Sequence, residues 1–80
     1  MLSSYINVYN TCLVLLRRKG YRITLEMEEM WTAEKDGFVF KADNPIELLG
    51  LVGIREELKP VADIEYWWKL DEPNVLSEFE

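Results

Sequence analysis

The chain contains no histidine, and among its 80 residues there is one cysteine. Without histidine the commonest general base and metal ligand is missing, so neither a Ser-His-Asp nor a Cys-His arrangement can be built. One thiol, Cys12, cannot close an intrachain disulfide, and multi-cysteine zinc sites within one chain are excluded. Cys12 lies in the apolar run TCLVLL. With no imidazole to act as its base, an inert buried thiol is the expectation. Glycine and proline are scarce as well, at four and three residues. No phosphate loop or dinucleotide fingerprint is formed from those glycines. Long apolar runs are also missing. Cys12–Leu16 falls far short of the about 20 residues that span a bilayer. Its cations Arg17, Arg18 and Lys19 follow the run, whereas a secretory leader carries them before it. A small bacterial cytoplasmic protein is the expectation.

Acidic residues are absent from one part of the chain only. Residues 1–22 carry Arg17, Arg18, Lys19 and Arg22 and no acid, whereas residues 23–80 carry 15 acids and five bases. The net charge of −6 disfavours general binding to nucleic acid or anionic membranes. The cluster RRKGYR is the exception to that balance. Carboxylates abound, but runs such as Glu26-Met27-Glu28-Glu29 and Glu56-Glu57 read as solvated faces and turns rather than paired catalytic acids. No catalytic residue, metal ligand or cofactor is expected.

What is present is enough for a core. A hydrophobic fraction of 49% with 12% aromatics argues for one packed domain over residues 1–80. Residues 4–19 read as a helix with Ser3 or Ser4 as cap, Gly20 as its left-handed stop, and Tyr5, Val8, Tyr9, Cys12, Leu13 and Leu16 on one face. YRITLEME then alternates, with Tyr21, Ile23, Leu25 and Met27 on one side. WTAEKDGFVFKA reads as a hairpin turning at Asp36-Gly37. A two-residue loop pairs Lys35 with Phe38, Ala33 with Phe40 and Trp31 with Ala42, which gathers the apolar side chains on one face. Met27 and Trp31 cannot share a face across a two-residue turn, so a bulge or looser loop is expected around residues 28–30.

DNPIELLGLVGIREEL opens with Asn44 as cap, Pro45 at the first helical position and Glu47 at the third. Its expected core stripe is Leu48, Leu51, Ile54 and Leu58, ending before Pro60. Gly50 and Gly53 each weaken a helix, and close approach of another element is their expected use. In residues 61–70 alternation returns. Ile64, Tyr66, Trp68 and Leu70 share one face, and Asp63, Glu65, Trp67 and Lys69 share the other. A fourth strand is expected there, with a short helix as the alternative. EPNVLSEFE is expected to close with a short helical turn near Pro73, weakly anchored by Val75, Leu76 and Phe79. The order α-β-β-β-α-β implies an α+β fold: a two-layer sandwich with a mainly antiparallel sheet and two helices on one face.

The order α-β-β-β-α is shared with the double-stranded RNA-binding domain. That family grips phosphate with a basic start to its second helix; here the helix begins DNPIELLG and the strand loop is EKDG, so nucleic acid is not the expected ligand. Protein binding remains. Trp67, flanked by Glu65 and Lys69, is expected on the outer sheet face as an interface anchor; the alternative places it over its own sheet or under the C-terminal segment. An edge strand offers a further route, to a homodimer. Size and charge suit an accessory domain without enzymatic activity, docking on a basic partner as inhibitor and immunity proteins do. The contrasting reading is a phosphate or nucleic-acid binder using Arg17, Arg18, Lys19 and Arg22.

Overall fold

The structure, a computed structural model, describes residues 1–80. A 3-10 turn at Ile6–Val8 leads into α1 (Tyr9–Arg18). Strands β1 (Arg22–Glu26), β2 (Met30–Lys35) and β3 (Phe38–Ala42) follow, then α2 (Pro45–Leu58), and a second 3-10 turn closes at Val75–Phe79. The sheet is antiparallel in the order β1-β2-β3. Both helices lie on one face and touch each other, α1 against β1 and α2 against β2 and β3. The fold is therefore α+β, as expected, but its sheet has three strands. The expected fourth strand at residues 61–70 is a series of turns.

Local signals explain most of the elements. The first helix starts later than Ser4, because Val8 N–H bonds to Tyr5 C=O in a 3-10 turn and no side chain caps the start. Tyr5 is consequently outside the helix and exposed, and of the expected stripe Cys12 and Leu16 are fully buried. The end of α1 is as the sequence indicates. Gly20 N–H bonds to Arg17 C=O and Tyr21 N–H to Leu16 C=O. This is a Schellman motif with Gly20 left-handed at φ 92°. It delivers Tyr21 straight into the core.

The hairpin has the expected register, with Lys35 opposite Phe38 and Trp31 opposite Ala42. Asp36 and Gly37 take φ of 53° and 83°, the two left-handed residues of a type I′ turn. The first connection is longer than a two-residue turn, as expected. Met27 and Glu28 are both left-handed, at φ 51° and 61°, and Glu29 N–H bonds back to Glu26 C=O. That three-residue loop pairs Leu25 with Trp31 and leaves Met27 in solvent, so Met27 is not part of the inner row. On the other sheet face, Thr32 is buried where a solvated residue is expected. It sits on the central strand between Thr24 and Lys41, which flank it on both sides.

In α2, Asn44 Oδ1 accepts from Glu47 N–H at 2.9 Å and Pro45 occupies the first turn. The buried stripe is Pro45, Leu48 and Val52, continued by Arg55. It is rotated from the expected Leu48–Leu51–Ile54–Leu58 stripe, and Ile54 faces solvent. Arg55 accounts for the rotation. Its guanidinium lies 4.0 Å from the Phe38 ring centroid and donates to the Tyr21 hydroxyl at 2.8 Å. It also bonds Asp36 across the hairpin turn at 3.3 Å. With the Lys35 carbonyl as a third oxygen acceptor at 3.4 Å, this cation over an aromatic face is well compensated on the inner side. The apolar residue one position earlier turns outward as a result.

Gly50 and Gly53 face solvent, and a Cβ built on either meets nothing within 4 Å. The expected close approach is absent, and the pair is only a weak point in the helix. Replacing each by alanine is expected to stabilise the fold by about 1 kcal/mol, measured by urea denaturation. A loss of stability would show that the helix needs them. The strained first loop gives a second expectation. Met27→Asn with Glu28→Gly supplies the residues a type I′ turn favours, and is expected to raise stability by about 1 kcal/mol, read as a higher thermal midpoint with an unchanged fold.

Candidate functional site

Strand β3 lies at the edge of the sheet, and two geometric facts determine what its edge presents. With Lys35 and Phe38 closing the hairpin, the backbone groups of Val39 and Lys41 point away from β2. The chain leaving α2 returns to this edge and uses one carboxylate to meet it. Asp63 Oδ2 accepts from Val39 N–H at 3.2 Å, and Asp63 Oδ1 accepts from Trp67 Nε1 at 3.0 Å. Asp63 thus closes the edge at Val39 and fixes the indole four residues on. The edge at Lys41 is left without a strand partner.

Held in this way, Trp67 turns inward. Its ring meets Phe38 edge-on at 5.7 Å and 90°, and Phe40 at 6.2 Å and 84°. It is half-buried against the core. The expectation of an outward Trp67 with inward Tyr66 and Trp68 is reversed, since Tyr66 is 58% and Trp68 51% exposed. Ile64 and Leu70 are exposed with them. The backbone explains the reversal. Trp67 N–H bonds to Ile64 C=O, Lys69 N–H bonds to Tyr66 C=O, and Tyr66 is left-handed at φ 57°. Turns of this kind abolish the period of two on which the strand expectation rested. A left-handed bulky aromatic is unusual. Here it is Tyr66, next in the chain to the Asp63-bonded Trp67, and its exposed ring lies 5.8 Å from that of Trp68.

Glu65 and Lys69, the expected neighbours of an exposed anchor, are both on the surface, and Lys69 Nζ lies 5.5 Å from the Tyr66 ring centroid. The aromatic they accompany is therefore Tyr66 and Trp68 rather than Trp67. The expected C-terminal anchors Val75, Leu76 and Phe79 form the short turn but stay exposed.

Between β3, α2 and this segment lies an apolar groove of about 240 Å³, floored by Phe40, Leu51 and Ile54 and walled by Val39, Trp67 and Trp68. That volume is below the ~300 Å³ at which small-molecule pockets begin. It suits one or two apolar side chains. Residues 61–80, which contribute Asp63, Trp67 and Trp68 to it, carry six acids and one base, a net −5.

The basic cluster is not assembled as one surface. Lys19 pairs with Glu56 of α2 at 2.6 Å, and Arg22 pairs with Glu34 on the neighbouring strand. Arg17 and Arg18 stay exposed in the last turn of α1. They suit the carbonyl end of a helix. No three His, Cys, Asp or Glu side chains are grouped to hold a metal ion, and Cys12 is buried. Two residues of consequence escaped sequence reasoning. Asp63 has the i, i+4 spacing to Trp67, which is visible only once that stretch is read as turns. Arg55 follows Leu48 and Val52 at helical spacing, a position on the inner stripe that hydropathy alone does not signal for a charged residue. No protein-family model, curated protein or solved structure matches this chain.

Proposed function

We propose that the chain is a protein-binding domain without enzymatic activity, which receives an extended, basic and apolar segment of a partner along the edge of β3. The observation that carries this reading is the open edge at Lys41 beside an apolar groove of side-chain size, on a chain of net charge −6 whose residues 61–80 alone carry −5. An added strand gains main-chain hydrogen bonds from such an edge, and alternate side chains find the groove. Trp68 and Tyr66 supply exposed aromatic area beside it, the residue class that anchors interfaces. No helix is long and apolar enough to cross a membrane, so the exposed apolar residues are read as contact surface. A second copy of the chain would bring two segments of net −5 together, so charge favours a different, basic chain over a homodimer. An inhibitor that neutralises a basic partner fits these terms.

The two adjacent tryptophans are expected to separate stability from binding. Trp67→Ala removes a ring packed on Phe38 and Phe40 and is expected to destabilise the fold by about 3 kcal/mol. Trp68→Ala is expected to leave stability within about 0.5 kcal/mol. On an array of extended peptides, the expected binders alternate apolar with Lys or Arg. Their binding is lost with Trp68→Ala and with N-methylation of the peptide's edge-facing amides. Binders that are acidic, or binding that survives Trp68→Ala, would count against the proposal.

A further inference from the structure

On the opposite side of α2 from the groove, Lys19, Lys35, Arg55 and Lys59 converge on a cavity of about 480 Å³ with the Tyr21 hydroxyl in its wall. We propose that this cavity binds a small tetrahedral oxyanion, a phosphate or phosphate monoester. It is distinct from the peptide groove and does not depend on that reading.

Four cations in one concavity are unusual in a chain of net charge −6. Part of this charge has a local use. The C-termini of α1 and α2 both end here, and each carries about half a negative charge. Glu56 pairs with Lys19, and Asp36 pairs with Arg55. These negative groups amount to about three charges and leave the cations in excess. Lys35 Nζ donates to the Lys19 carbonyl at 2.6 Å and lies 5.6 Å from the Tyr21 ring centroid, with no carboxylate partner. Lys59 has no ion pair with any carboxylate.

Two further observations point to a ligand rather than to helix capping alone. Tyr21 is only 6% exposed. Its hydroxyl accepts from Arg55 Nη1 at 2.8 Å, and its own proton has no acceptor in the protein. That proton is free for donation into the cavity, which the ammonium groups of Lys19, Lys35 and Lys59 also line. Lys59, for its part, occupies the left-handed position at the end of α2, φ 50°, where glycine is the usual residue. A lysine there carries backbone strain that glycine would relieve, and it brings a free ammonium to the cavity. Arg55, 17% exposed and held against Phe38, is bonded to Tyr21, Lys35 C=O and Asp36, so it fixes the Tyr21 hydroxyl and adds its charge to the cavity wall. Point charges from flexible lysines and one hydroxyl donor match a compact dianion better than a planar carboxylate.

The test is an NMR titration of the full chain with inorganic phosphate at neutral pH and constant ionic strength, with acetate in parallel. Saturable shifts at Tyr21, Lys35, Arg55 and Lys59 are expected with phosphate and not with acetate. Lys59→Gly is expected to raise the thermal midpoint while weakening phosphate binding about tenfold. Lys35→Met is expected to weaken it similarly. The variant Arg17→Gln/Arg18→Gln changes charge elsewhere and is expected to leave binding unchanged. No saturable shift, equal binding of acetate, or equal loss with the Arg17/Arg18 variant would overturn the proposal.

Discussion

Strand β3, helix α2 and the chain beyond it meet at the ring of Phe38. It is 2% exposed, although it stands at the end of a short edge strand where a sheet of three strands cannot cover it alone. Phe40 stacks beside it at 6.3 Å, nearly parallel. Arg55 closes one face from α2, and Trp67 closes the rim from the chain beyond α2. A chain of this length buries a small core, and one uncovered aromatic at its margin would forfeit a large part of the stability. The two groups that seal it, a guanidinium and an indole, both also need polar partners. Arg55 finds Tyr21, Lys35 C=O and Asp36, and Trp67 finds Asp63. These partners tie the hairpin turn and the β3 edge to the same point.

Sealing Phe38 in this way sets the surface. Because Trp67 turns in, its neighbours Tyr66 and Trp68 must turn out, and the exposed aromatics end beside the open edge of β3. Because Arg55 takes the inner position on α2, Ile54 faces the groove. Successive residues on a helix point about 100° apart, so α2 separates an apolar concavity from a basic one within one turn. The apolar concavity holds one acid and one base, Asp63 and Lys41, whereas four cations gather at the second.

Much of the fold was legible in the sequence. Alternation and the Asp36-Gly37 turn gave the β2–β3 register residue by residue, and the Asn44-Pro45 start and Gly20 stop gave two helix ends. Those signals are local, and their geometry is set by a few neighbouring backbone angles. The first loop was less legible, because Met27 and Glu28 adopt left-handed angles that their side chains do not favour. The fourth strand failed for a related reason. An alternating pattern records which residues are apolar, but a period of two implies a shared face only if the backbone is extended. At the candidate site, sequence reasoning found the stretch Glu65–Lys69 and the value of a tryptophan there. It left Trp67 between an outward anchor and a ring over its own sheet; the second holds, and Trp68 and Tyr66, expected in the core, face outward.

The sequence by itself determined the α+β class, the order of the first five elements, the faces of the hairpin and the absence of histidine- and multi-cysteine-based chemistry. Each follows from composition or from interactions within a few residues. Only the tertiary structure decided which tryptophan is buried, where the basic residues gather and which helix face is inner. Those outcomes depend on a single competition for the exposed end of Phe38, between side chains 17 and 29 residues away in the chain. Residues so far apart acquire a common environment only when the chain has folded.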